Sequence, residues 1–444
     1  MFSTVSKRGL SSIDEIKTNE HERAILIGIQ LPAAGLQQVE ESLGELNQLA
    51  GTAGAEVVSQ VIQTRKSPHI RTYIGPGKAE EISGLAKDLG AELIICDCDL
   101  SPSQQHNLEK IVSTKVIDRT ALILDIFAQH AHSREGKLQV ELAQLVYYLP
   151  RIRGRGVELS RLGGGIGTRG PGEQKLEVDR RRIRKRIQRL KAELDHVKST
   201  RMVQRKKRKK EDVFSISLVG YTNAGKSTLL NALTGAGVLV QDQLFATLDS
   251  TARKLDLPSN QRVVLSDTVG FIRKLPHQLV ASFRSTLDEV READLVLHVI
   301  NAGHPQMAEQ IEAVSIVLDE IGAAEKPRLD VFNKIDVLSQ QELDRLKERH
   351  PKAVFSSALA GEGLEDLIGK VDEIISAALV RVELTIPFRE GRMLEKIHTI
   401  GQVISENHSP EGTEIVARIP QHNLGEIESF LKGPDKADSA DRAG

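Results

Sequence analysis

The sequence predicts an α/β chain of several domains. A small parallel α/β domain is expected over residues 21–119 and a long helical hairpin with a glycine-rich loop over 120–211. A second α/β domain follows over 212–379, then a small α/β module over 380–431. Three observations carry this. Short apolar runs alternate with helical stretches up to residue 119 and again after residue 213. Between these regions lies a long arginine-rich helical pattern interrupted by glycines. A length of 444 residues also exceeds what one core holds, at roughly 150 residues per domain.

In the first domain, the apolar run AILIGIQL (24–31) is of strand length, and a helical stretch follows through Leu49. Further strands are expected at Val57–Thr64, Glu92–Cys96 and Lys115–Ile117, with helices at Lys78–Leu89 and Ser101–Val112. Strands and helices alternating at this spacing form a small parallel sheet covered by helices. Gly75-Pro76-Gly77-Lys78 only loosely resembles a phosphate loop and reads as a turn and helix start. Cys96 and Cys98 close a strand in a reducing compartment, with no spaced set of partners for a disulfide framework or a zinc site.

From Thr120 to about Tyr148 the pattern is helical, with an apolar stripe from Leu122, Ile126, Leu138, Leu142, Leu145 and Val146. A glycine-rich stretch, Gly163 to Gly172, leads into a second helix from near Glu173 to about Val203. Two long helices joined by a loop suggest an antiparallel hairpin. Within the loop, Gly165-Ile166-Gly167-Thr168-Arg169-Gly170 matches G-x-G-x-x-G, but it lacks the preceding strand that a dinucleotide site requires.

Charge is sorted along the chain. The net charge is −1, yet residues 151–210 hold 22 Lys and Arg against six Asp and Glu, a local excess of +16. The run Arg205 to Lys210 has no acidic residue within it. Such a stripe attracts phosphate backbones irrespective of sequence. Arg161 and Arg169 in the glycine-rich loop, with Arg180, Arg181 and Arg184 on the second helix, are the candidate contacts. Trp is absent and aromatics are 3% of the chain, so a reader of single strands working by base stacking is disfavoured.

The second α/β domain carries the chemistry. The strand VFSISLV (213–219) feeds Gly220-Tyr221-Thr222-Asn223-Ala224-Gly225-Lys226-Ser227, and Thr228 continues into a helix. This is G-x-x-x-x-G-K-[ST] in its strand–loop–helix context. Glycines let backbone N–H groups turn onto phosphates, Lys226 reaches the β- and γ-phosphates, and the Ser227 hydroxyl ligates Mg²⁺. Asp267-Thr268-Val269-Gly270 ends the next strand; Asp267 can hold a metal-bound water, and the Gly270 N–H can sense a γ-phosphate. Between these lies Phe245-Ala246-Thr247-Leu248-Asp249, where Thr247 can close on Mg²⁺.

Asn333-Lys334-Ile335-Asp336 follows the strand LDVF. The Asp336 carboxylate matches the N1–H and 2-amino donors of guanine, which adenine lacks. Ser356-Ser357-Ala358 supplies a backbone N–H for the base oxygen, with Ser357 and Ala358 as the site residues. Four elements in this order predict a P-loop GTPase domain that binds GTP and GDP with Mg²⁺. The last module reads strand (382–388), helix, strand (413–420), helix, with no chemistry in it. Residues 1–20 are expected to be flexible and 432–444 disordered.

The GTPase elements, the stretch SRLGGGIGTRGPGEQKLEVDRRRIRKRI and the helical stretch DRTALILDIFAQHAHSREGKLQVELAQLVYYLPRIRGRG resemble the HflX family of ribosome-associated GTPases, in the Obg-HflX superfamily. The resemblance runs from about Ala24 to at least Leu379. It implies a GTPase that binds the large ribosomal subunit and its rRNA, in ribosome rescue or splitting or in subunit assembly. The N-terminal stretch MFSTVSKRGLSSIDEIK has no apolar core of signal-peptide length and nowhere do about 18 apolar residues run together, so a cytoplasmic monomer without a membrane span is expected. Two other readings stay open: an RNA-binding assembly factor with a regulatory nucleotide site, and a GTPase of tRNA modification or metal transport. Phe271 stands where many GTPases place a water-orienting Gln, so intrinsic turnover should be slow. Asn223 resembles the potassium-binding Asn of some GTPases with that apolar substitution, which makes K⁺ a candidate cofactor.

Overall fold

A computed structural model describes residues 22–33, 35–152, 171–210, 214–235, 244–245, 251–259, 261–273, 284–377, 379–410, 412–420 and 424–431. The chain divides into two compact units, Met1–Ile126 and Phe127–Gly444. Among the described residues no helix is long and apolar enough to cross a membrane.

In the first unit β1 (Glu22–Gln30), α1 (Leu36–Thr52), β2 (Ala55–Thr64), α2 (Pro76–Leu89), β3 (Leu93–Cys96), α3 (Pro102–Val112) and β4 (Lys115–Asp118) alternate as the apolar runs predict. The sheet has the order β2-β1-β3-β4, and every pair is parallel. The core lies where Ile25, Ile27 and Ile94 meet Ile82, Leu108 and Val112 of the covering helices. Helix α3 starts at a reciprocal cap, in which Ser101 and Gln104 exchange side-chain and backbone hydrogen bonds. Cys96 closes β3 inside the core, and burial pushes its thiol well above the usual range.

Beyond the carboxyl ends of the strands sits a buried ion network. The Arg119 side chain is 1% exposed and reaches Asp97 at 2.7 Å and Glu45 at 2.9 Å. Ser42 donates to the other Asp97 oxygen at 2.6 Å. Removing either carboxylate would leave the buried guanidinium with one of its two partners, so the set acts as one polar core.

The helical stretch expected from Thr120 to Tyr148 is two helices, α4 (Arg119–His130) and α5 (Arg134–Tyr148). The break falls at Ser133, whose hydroxyl accepts from the Gly136 N–H at 2.9 Å and starts α5. Helix α6 (Pro171–Lys210) follows. Leu138 and Leu142 of α5 pack on Leu190 of α6, and Arg186 forks onto Glu141 with two 2.7 Å bonds. Arg180 donates to the Ile152 carbonyl. The pairings 141/186 and 152/180 run in opposite directions, so the expected antiparallel hairpin is present.

The next domain comprises β5 (Phe214–Gly220), α7 (Lys226–Thr234), β6 (Thr251–Asp256), β7 (Arg262–Asp267), α8 (Arg284–Glu292), β8 (Leu295–Asn301), α9 (Met307–Glu320), β9 (Arg328–Asn333), α10 (Gln340–Arg349), β10 (Val354–Phe355) and α11 (Leu364–Ala377). Its six strands run β10-β9-β8-β5-β7-β6, all parallel except the antiparallel edge pair β6–β7. Buried Ile216, Leu218, Val263, Leu297 and Val331 form the sheet's share of the core, against Leu229, Leu367 and Val371 of the helices.

The last module differs from expectation by one strand. Antiparallel β11 (Leu379–Ile386), β13 (Gly412–Pro420) and β12 (Gln402–Ser409) pair in that order, beside helix α12 (Gly391–Ile400). Strand β12 lies at the sheet edge and is mostly exposed, so its sequence QVISENHS carries no apolar alternation to betray it.

Candidate nucleotide site

Strand β5 delivers the loop 220–225 to the carboxyl end of the sheet, and helix α7 begins directly after it. Gly225 sits at φ +92°, and a Cβ there would lie 2.3 Å from the Asn333 amide nitrogen. Only glycine combines that conformation with that approach. The loop is laced to the end of β7: Thr222 N–H donates to the Phe271 carbonyl at 2.7 Å, and Phe271 N–H donates to the Gly220 carbonyl at 3.1 Å. The Tyr221 hydroxyl accepts from the Arg273 N–H at 2.8 Å. Gly270 is pressed so close that a Cβ would meet Thr222 at 2.8 Å and Lys226 Nζ at 3.1 Å. A phosphate-sensing glycine needs this proximity.

Lys226 is 7% exposed and donates to the carbonyls of Gly220 at 3.1 Å and Tyr221 at 2.9 Å. Burial pushes its ammonium down to about 8, with the Asp267 carboxylate pulling the other way. The Ser227 hydroxyl donates to Asp267 Oδ2 at 2.6 Å. A hydroxyl and a carboxylate held together offer hard oxygen donors, the set that fits Mg²⁺. Thr228 is half-buried in the first turn of α7.

The lysine has a consequence for pH. Between about pH 8 and its ordinary 10.5, the folded nucleotide-free chain binds fewer protons at this site than the unfolded chain. Stability from this group therefore rises with pH across that window. A triphosphate favours the charged form, so GTP binding above pH 8 should take up a proton. Apparent GTP affinity should then fall by up to about tenfold per pH unit. Calorimetric titration at pH 9, in two buffers of different ionisation enthalpy, should give an uptake approaching one proton; no uptake would mean the lysine is already charged in the empty site.

The opposite side of the loop is fixed by Asn333. Its amide donates to the Ala224 carbonyl at 2.9 Å, while its oxygen accepts from the Ala358 N–H at 2.9 Å. One buried side chain thus ties the phosphate loop to the base-side loop. Lys334 follows at φ +64° and donates from Nζ to Asn223 Oδ1 at 3.2 Å. Asp336 lies in a short 3₁₀ turn with its carboxylate exposed, beside half-buried Ile335. Ser357 is buried and its hydroxyl accepts from the Ala360 N–H.

Several expectations change here. Of the Ser356-Ser357-Ala358 N–H groups, one of which is expected at the base oxygen, Ser356 donates to the Phe332 carbonyl, Ser357 to the Glu362 carbonyl and Ala358 to the Asn333 side chain. The Thr268 hydroxyl donates back to the Leu218 carbonyl at 2.7 Å, and Val269 is buried, so both face the core. Phe245 is buried edge-on against Phe127, ring centroids 4.7 Å apart at 79°, and does not line the nucleotide loop. The Asn223 oxygen expected at a potassium ion accepts from Lys334, so this geometry gives K⁺ no support. Phe271 is buried, as an apolar residue at that position should be. Ala246, Thr247, Leu248 and Asp249 lie outside the described residues, as do Arg161 and Arg169.

A strand–loop–helix phosphate cradle with a buried lysine, a Ser–Asp oxygen pair and an Asn-Lys-x-Asp loop across it define a P-loop GTPase. The family model described as "50S ribosome-binding GTPase" matches residues 215–334; "GTP-binding GTPase N-terminal" and "GTP-binding GTPase Middle Region" match 40–128 and 130–208. GTPase HflX of Caldanaerobacter subterraneus subsp. tengcongensis is 47% identical over 430 residues, covering 97% of this chain and 98% of the relative. GTPase HflX of Escherichia coli (strain K12) is 45% identical over 402 residues, covering 90% and 94%. The chain belongs to the HflX family of GTPases and is a GTP-hydrolysing enzyme. Among solved structures, a GTP-binding protein from the hyperthermophilic archaeon Sulfolobus solfataricus in complex with GDP is 28% identical; it covers 80% of this chain and 99% of that one, with a TM-score of 0.42.

Proposed function

We propose that the chain is a GTP-gated factor of the large ribosomal subunit, whose basic hairpin binds rRNA when the nucleotide site is filled with GTP. The observation that carries this is the surface of α6. Its apolar stripe is spent on α5, which leaves Arg181, Arg182, Arg184, Lys185 and Arg189 exposed along the helix. Arg182 and Arg184 stand 3.8 Å from Asp179 and Glu177 of the same helix, so it is the excess of exposed cations over carboxylates that is open to an external polyanion. The family model matching residues 215–334 bears a ribosome-binding description, which agrees with that reading.

In the nucleotide site, the loop N–H groups and Lys226 hold the β- and γ-phosphates, and Asp336 reads the guanine edge. Asn333 positions the two loops around the base. Ser227 and Thr247 would hold Mg²⁺, with Asp267 acting through a water; the ion supplies neutralisation of charge on the phosphate oxygens. Hydrolysis breaks the bond from the γ-phosphorus to the bridging oxygen as water attacks, and Lys226 stabilises the charge gathering on the leaving diphosphate. Phe271 cannot hydrogen-bond that water, so turnover by the chain alone is slow and rises when the ribosomal partner orders the site.

Of the five candidate arginines, the three on α6 are not equivalent. Arg180 donates to the Ile152 carbonyl and fastens the hairpin, whereas Arg181 and Arg184 are exposed. Reversing Arg181, Arg184 and Lys185 to Glu should weaken binding to purified large subunits at least tenfold. The dependence on salt should become shallower, with GTP affinity in free solution unchanged. Equal loss of ribosome and GTP binding would mean the hairpin serves folding alone.

A further inference from the structure

The turn after β2 is built to present a single apolar side chain among cations. Ile70 is 88% exposed. Around it Lys66 and Arg71 are exposed, Arg65 is half-buried, and no acidic residue occurs between Thr64 and Ala79. Among the described residues neither Lys66 nor Arg71 has an ion-pair partner, and the next cation, Lys78, is paired with Glu81.

This tip is rigid. His69 and Tyr73 exchange backbone hydrogen bonds at 2.6 and 2.9 Å, which closes the turn with Tyr73 at φ +67°. Thr72 locks it from inside, its hydroxyl bonded to the Ile74 carbonyl at 2.7 Å and to the His69 ring at 2.8 Å. Helix α3 grips the outside: Gln104 donates to the His69 carbonyl at 3.1 Å and Asn107 to the Arg71 carbonyl at 2.9 Å. Two amide side chains from one helix are thus spent on holding this turn. Engaging the His69 and Arg71 carbonyls in these bonds also lowers the partial negative charge that would oppose an anion.

We propose that the tip Lys66–Arg71 is a second RNA-docking surface, separate from the arginine-rich hairpin. Lys66 and Arg71 meet phosphates, and Ile70 packs against a base or ribose face. The charge decides for RNA over a protein pocket, since exposed cations on a stretch with no acidic residue between Thr64 and Ala79 are matched by a phosphate backbone. Rigidity adds to it, because a tip already fixed in shape loses little conformational freedom on docking. The inference rests on the ribosome-binding reading for the identity of the RNA, which it takes to be rRNA of the large subunit.

The test uses the full chain and purified large ribosomal subunits. Lys66→Glu with Arg71→Glu should weaken binding about tenfold or more and make log affinity against log salt shallower by about one to two units. Ile70→Ala should weaken binding several-fold with the salt slope unchanged. Thermal melting and GTP hydrolysis without ribosomes should match the parent, because none of the three side chains is buried. Normal binding by both variants, while hairpin reversal abolishes it, would overturn the second surface and leave the ribosome reading intact. Loss with Ile70→Ala alone, and none on charge reversal, would mark an apolar protein contact and overturn the RNA assignment. If no form of the chain binds subunits, it is the ribosome reading that fails, and the tip proposal falls with it.

Discussion

Lys226→Ala is expected to lower kcat/KM for GTP by about 10²–10³-fold, the usual loss when one preorganised charge stabiliser is removed from a phosphate or oxyanion site. The side chain is the cation within the phosphate loop, and its nitrogen lies close to where a Cβ on Gly270 would sit. Its position therefore couples the phosphate cradle to the segment that follows β7. The fold should survive, since alanine keeps the helix start and the Gly220 carbonyl still accepts from the Phe271 N–H. Phosphate release under steady state, with a melting curve alongside, makes the comparison. A kcat/KM within about threefold of the parent would show that the lysine does not face the reacting phosphates.

The second large effect is on base choice. Asp336→Asn should cost about 1–3 kcal/mol of GTP affinity, because one carboxylate oxygen becomes an amide donor facing the guanine N–H groups. The same change should raise affinity for XTP, whose base presents a carbonyl where guanine has its amino group. Reciprocal movement of the two affinities is the signature of direct base reading. A parallel fall in both would instead mean that the substitution damages the loop, which Asn333 holds to Ala224 and Ala358. Titration with fluorescent GTP and XTP analogues separates the two outcomes.

What could be read in advance follows from the range of each interaction. Strands β1, β3 and β5 and the phosphate loop declare themselves in contiguous residues, through apolar runs, glycines and a Gly-Lys-Ser ending, and the structure places them as expected. Strands β6 and β12 are not legible in the sequence, because each is an edge strand with polar, largely exposed residues and burial leaves no periodic mark on it. The break before α5 was legible in principle, since Ser133 stands three residues before the glycine whose N–H it accepts. An apolar stripe continuing on both sides of the break masked it.

Within the site, the motifs identify the residues but not their division of labour. Asn333 reaches Ala224 across 109 positions in the chain, and no local pattern announces that bond. The same holds for Phe245, which looks like the start of a nucleotide-responsive segment yet inserts against Phe127. Thr268 is a further case: its neighbours in the motif suit a phosphate site, but its hydroxyl closes on the adjacent strand. Charge patterning in turn pointed to α6 correctly as a surface, and only the packing showed that Arg180 holds the hairpin together.

The central claim is that GTP controls affinity for the large ribosomal subunit. Equilibrium co-sedimentation of the full chain with purified large subunits, in a non-hydrolysable GTP analogue and separately in GDP, addresses it most directly. The account predicts tight binding with the analogue and binding at least tenfold weaker with GDP, both reduced by reversal of Arg181, Arg184 and Lys185. Equal affinity in the two nucleotide states, or no binding in either, would contradict it.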